Sequence, residues 1–179
     1  MKKLIATLLA LVLALSLTLA ATAEEPAVPT FTNGVQFNMD MDQVMKLLNL
    51  PNPDIDKELT RGPVAFEELE YEKVLDESFN CDLSFKFVDN KLVAIHKDMA
   101  DGTAYEAVKA ALVTAFGAEA VPFDPAVIGN GKYAVDDDGD LKDAREMIVT
   151  DGVIIVLEQD HEGDVDVTIL DPAAGYIAK

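Results

Sequence analysis

The densest group of potential ligands in the chain is Asp136-Asp137-Asp138-Gly139-Asp140. Calcium takes carboxylate and carbonyl oxygens, and an EF-type loop places acids at positions 1, 3, 5 and 12 with Gly at 6. With Gly139 at position 6, Ala134 falls at 1 and Arg145 at 12, so both end ligands fail. What the run retains is a looser surface site, with Asp136, Asp138 and Asp140 as candidate ligands for weakly held calcium; the plainer reading is a solvated turn. Other chemistries find less support. His96 and His161 lie one in each half of the chain, without the spacing of a metal pair. Outside the N-terminal segment the serines are Ser78 and Ser84, and neither sits in a Gly-x-Ser-x-Gly turn. There is no Gly-rich phosphate loop, and the arginines are Arg61 and Arg145. The lone Cys81 cannot form an internal disulfide and reads as a small buried apolar group in a strand, the alternative being a reactive thiol. With 33 acids, carboxylate pairs are unavoidable and none stands out. No nucleophile–base arrangement emerges, so the expectation is a non-enzyme without a cofactor.

The elements that must carry these residues fall into two similar series. Asp40 and Gln43 have the spacing of a capping box, and Met41, Val44, Met45 and Leu48 recur at i, i+3, i+4 and i+7, predicting a helix that Pro51 and Pro53 end. Strands are expected at 66–75, at 83–87, where Leu83, Phe85 and Phe87 alternate with polar residues, and at 91–97 after an Asp89-Asn90 turn. A second helix is expected over 103–116, with Thr103 and Glu106 as a capping box and Gly117 as the C-terminal cap. Strands then follow at 144–150, 153–159 and 165–170, with Asp151-Gly152 as a hairpin turn. Helix then three strands, given twice, predicts an α+β fold: two units at 33–100 and 101–179, antiparallel sheet, helices packed on one face.

Residues 1–23 read as a secretory signal peptide. Lys2 and Lys3 precede an uncharged Leu/Ala-rich run, and Ala21-Thr22-Ala23 supplies the small-x-small cleavage pattern. Export to the envelope or the extracellular space follows as an expectation, with a membrane-attached form only if that segment stays uncleaved. Residues 24–32 read as a flexible Pro-containing lead. Without residues 1–23, which hold two of the 14 bases and no acid, 12 bases face 33 acids, a net charge of −21. Phosphate backbones are bound by clustered Lys and Arg, so nucleic acid is a poor partner. Cations and basic proteins fit better, and colloidal solubility is the plain alternative.

The segment Asn33-Gly34-Val35-Gln36-Phe37-Asn38-Met39-Asp40-Met41-Asp42-Gln43-Val44 resembles the G-x-x-x-G-M-[ST]-x-x-[EQ]-V opening of small envelope domains of the SmpA/OmlA type. Phe85 to Ile95 is similar to that family's closing strand–turn–strand. Two such units in tandem make up the beta-lactamase inhibitor protein-like fold. The chain departs from the pattern at Asn38 and Leu50, where the family has Gly, and has no Cys after the apolar N-terminal run. The resemblance implies a scaffold that binds another protein, or an envelope component, through a sheet face.

Overall fold

The computed structural model describes residues 31–61, 64–76, 78–128 and 143–174. Its first helix, α1 (Met41–Leu48), starts where the sequence puts a cap. The Asp40 carboxylate accepts the Gln43 backbone N–H at 2.8 Å, and the Asp40 N–H donates to Gln43 Oε1 at 3.0 Å. Reciprocal bonds of this kind satisfy donors that a helix start leaves open. Asn49 closes the helix in the left-handed region at φ +49°, its N–H reaching the Met45 carbonyl at 2.9 Å.

Four strands follow: β1 (Asp54–Arg61), β2 (Val64–Asp76), β3 (Phe79–Val88) and β4 (Lys91–Met99). The second helix, α2 (Tyr105–Phe116), leads into a two-residue strand β5 (Val121–Pro122) and a short helix α3 (Pro125–Ile128). The chain ends in β6 (Ala144–Thr150), β7 (Val153–Gln159) and β8 (Val165–Leu170). All pairings are antiparallel, in one eight-stranded sheet ordered β1-β2-β3-β4-β8-β7-β6-β5. The fold is therefore α+β with an antiparallel sheet. Its two halves meet at a seam where β4 pairs with β8.

Alternation sorts each strand into two faces. Leu83, Phe85, Ile95, Val167, Ile155 and Ile148 share one core cluster with Val44 and Leu48 of α1 and Val108 and Leu112 of α2. Both helices thus cover the same face. The other face carries a smaller apolar cluster, Val93, Ala94, Met147, Ile154, Val156 and Leu170. The run of aliphatics in β7 follows from burial on both faces.

The structure departs from the sequence reading in four places. β1 was not expected: as an edge strand with one neighbour it carries acids at Asp54 and Asp56 and shows no clean apolar alternation. β2 does not keep one parity along its length, because the register shifts between Tyr71 and Val74 and Lys73 takes φ +55°. Glu68 and Glu70 face away from the helices, whereas Asp76 beyond the bulge turns toward them. The expected Thr103 cap is not formed: Ala104 holds the N-cap position, and the Thr103 hydroxyl donates instead to the Ala100 carbonyl at 2.5 Å. The lead assigned to 24–32 overlaps ordered core, since Phe31 is buried and its ring lies 4.7 Å from that of Phe37.

Candidate functional site

The sheet face away from the helices gathers polar residues from distant parts of the chain. Three cross-strand rows run over it. One links Asp56, Glu68 and Lys86; the next links Asp54, Glu70, Ser84, His96 and Thr168; the third links Asp82, Asp98, Asp166 and Glu158. Each row is fixed by strand register, so no side chain reaches its neighbour by chance of rotamer alone. The third row places carboxylates opposite one another across β3, β4, β8 and β7, an arrangement that costs stability through like-charge repulsion.

Within these rows the polar groups are tied together. Lys86 Nζ lies 3.0 Å from Glu68 Oε1 and 5.4 Å from the centre of the Phe66 ring. The Ser84 hydroxyl donates to the same Glu68 carboxylate. His96 Nδ1 is 3.1 Å from Thr168 Oγ1, its Nε2 is 3.6 Å from Asp166 Oδ1, and the Thr168 hydroxyl donates to Glu158 Oε2 at 3.4 Å. Partial desolvation against the sheet raises the Glu70 carboxyl above its ordinary value even though the residue is exposed, and the nearby charges of Glu68, Asp54 and Asp56 add to this against the opposing pull of Lys86. Asp54, Asp56, Glu70, Asp82 and Asp98 are exposed, whereas Ser84, Lys86, Thr168 and Glu158 are buried.

Hydroxyl, imidazole and carboxylate in sequence are the parts of a nucleophilic relay. Thr168, however, is 3% exposed and lies mid-strand between β4 and β7. The surrounding backbone N–H groups belong to the sheet ladder, so among the described residues none is aimed at a developing oxyanion there.

Two further groups lie elsewhere. On the helix side, Lys97 and Asp76 form a buried ion pair beside Cys81, around a cavity of about 10 Å³ closed by Val108, Ala111 and Leu112 of α2. That is at most the room for one water. Burial, reinforced by the Asp76 charge, pushes the Cys81 thiol up to about 11, in keeping with the expectation of a small buried group in a strand and not with that of a reactive thiol. In the β7–β8 hairpin, Asp160, Glu162 and Asp164 bring carboxylate oxygens within 4.8 Å of one another. Desolvation pushes the Asp160 carboxyl up, but its Oδ1 accepts the backbone N–H groups of Asp164, Gly163 and Glu162, and together these hold it below the ordinary range.

The sequence candidates for calcium, Asp136, Asp138 and Asp140, lie outside the described residues, as does the signal segment 1–23. Of the two histidines, His161 is exposed at the hairpin and His96 enters the polar face. What sequence reasoning missed is the assembly itself: Ser84, His96 and Thr168 align only once β3, β4 and β8 are paired. Among the described residues no helix is long and apolar enough to cross a membrane. Comparison of the chain with protein-family models, curated proteins and solved structures finds no match.

Proposed function

We propose that this protein is an exported, non-catalytic binding domain that engages a basic segment of a protein or envelope partner through the sheet face opposite its helices. One observation carries the reading. One face of the sheet is taken by both helices, while the other displays Asp54, Asp56, Glu70, Asp82 and Asp98 to solvent. A net charge of −19 for the whole chain makes a second copy a poor occupant and a cationic one a good match. On this reading the fold is a tandem of helix-led units of the beta-lactamase inhibitor protein-like kind, and the SmpA/OmlA-type opening at Asn33 to Val44 marks the first of them.

The test uses a lysine-rich peptide as probe, titrated at low and high salt. The triple variant Asp54→Asn, Asp56→Asn, Glu70→Gln removes exposed charge without touching the core. Its association rate falls about tenfold or more at low salt, and the difference shrinks as salt screens the face. Equal rates for wild type and variant would sink the proposal.

A second reading, weak calcium binding, is favoured by the clustered oxygens of Asp160, Glu162 and Asp164 as well as by the sequence candidates Asp136, Asp138 and Asp140. Binding to the folded chain alone raises its thermal midpoint with ligand concentration. A midpoint that stays constant across millimolar calcium removes this reading.

A further inference from the structure

His96 sits on the seam between the two halves of the sheet, paired in register with Ser84 of β3 on one side and Thr168 of β8 on the other. The hydrogen-bond bookkeeping around its ring is unusually constrained. Asp166 offers Nε2 only an acceptor, because an ionised carboxylate has no proton to give. Thr168 Oγ1 stands between Nδ1 at 3.1 Å and Glu158 Oε2 at 3.4 Å, and its single hydroxyl proton can serve only one of the two. A neutral imidazole with its N–H toward Asp166 draws that proton to Nδ1 and away from Glu158. An imidazolium donates to both Asp166 and Thr168 and leaves the hydroxyl proton for Glu158.

We propose that His96 is a protonation-dependent clasp across the β4–β8 seam, closed when its ring is doubly protonated and half-released when it is neutral. The chain of bonds then runs from His96 Nε2–H to Asp166 and from His96 Nδ1–H to Thr168, whose hydroxyl continues to Glu158. The charges facing the ring favour the closed state. Asp98 follows on its own strand, Asp166 and Glu158 face it from β8 and β7, and Asp82 flanks Ser84 on β3. Glu68 and Glu70 lie beyond Ser84 on β2. Of the cations, Lys86 on β3 shares this face and is held 3.0 Å from Glu68, which offsets its effect on the ring, while Lys97, the next residue on β4, turns to the helix side and pairs with Asp76. The inference concerns the seam and stands whether or not the face binds a partner.

The sign of the effect follows from linkage. A histidine that holds its proton more tightly folded than unfolded adds stability that is complete below its unfolded midpoint, about 6.5, and is lost as pH rises through the folded midpoint. Histidine-ring nitrogen NMR on the full chain reads this directly, and His96→Gln identifies which of the two histidine signals is which. At mildly acid pH the His96 ring shows protons on both nitrogens, and Asp166→Asn lowers its midpoint by about one pH unit or more. Urea midpoints supply the second readout: wild type loses stability relative to His96→Gln as pH rises from about 6 to about 8. A ring already neutral at mildly acid pH overturns the proposal, and so do parallel stability curves. The wild-type spectrum decides the matter even if Asp166→Asn does not fold.

Discussion

At the scale of single residues, burial decides which charges matter. Lys97 and Asp76 are 5% and 4% exposed, and their ion pair lies under α2. A buried pair adds little over apolar residues of the same size, but losing one partner leaves an uncompensated charge. Lys97→Met alone should therefore cost about 3–5 kcal/mol in urea denaturation, and the double variant Asp76→Leu, Lys97→Met should recover most of it. Cys81 beside the pair is 2% exposed with its thiol pushed up to about 11, so at pH 8 a thiol reagent should label it at the rate of unfolding, accelerating in urea. Glu70 behaves in the opposite sense to a salt-bridged carboxylate. Its raised value means the folded chain holds the proton more tightly, so ionisation works against folding once pH exceeds the unfolded midpoint of about 4.3. Glu70→Gln should be more stable than wild type at pH 7, with the two stability curves converging below about pH 4.

At the scale of elements, the ends of helices and strands are set by a few residues whose roles can be separated. The Asp40–Gln43 capping box holds α1, and Asp40→Ala should cost about 1 kcal/mol by thermal or chemical denaturation. Thr103, which looks like an equivalent cap, bonds Ala100 instead, so Thr103→Ala should lack the signature of a lost helix N-cap, a local rise in amide exchange across the first turn of α2. The Asp89-Asn90 turn has both residues at positive φ, +51° and +58°, as the tight hairpin joining β3 to β4 requires. Gly117 ends α2 at φ +65°, where a side chain is strained although open space surrounds it.

For the whole molecule, the decisive feature is that one core serves both halves. Ile95 and Ile169 face each other across the seam, with 0% and 1% exposure, in the same cluster that takes in α1 and α2. Ile95→Ala should cost about 2–5 kcal/mol, and fluorescence and circular dichroism should still report a single coincident transition. Two separated transitions would mean that each half folds on its own. The exposed acids of the outer face, Asp54, Asp56, Glu70, Asp82 and Asp98, lie on β1–β4 up to the seam, so a partner seated on them rests on the first half of the chain.

Helix α1, the β3–β4 and β6–β7 hairpins and the apolar face of β3 were legible in the residues, because capping, turn and alternation signals act over a few positions. The antiparallel α+β class followed from their order. Strand β1 was not legible, since an edge strand has no buried second neighbour to impose a pattern on Asp54-Ile55-Asp56. The reversal of parity at Lys73 was hidden for a related reason: a bulge leaves composition unchanged while turning Asp76 toward Lys97. His96 looked like an isolated strand residue, and Ser84 and Thr168 like ordinary polar positions. Their alignment depends on β4 pairing with β8, residues 72 apart in sequence at the His96–Thr168 contact. Local patterns chose the elements and their inward faces; only long-range strand register, fixed by burial of the shared core, decided which polar residues meet on the outer face.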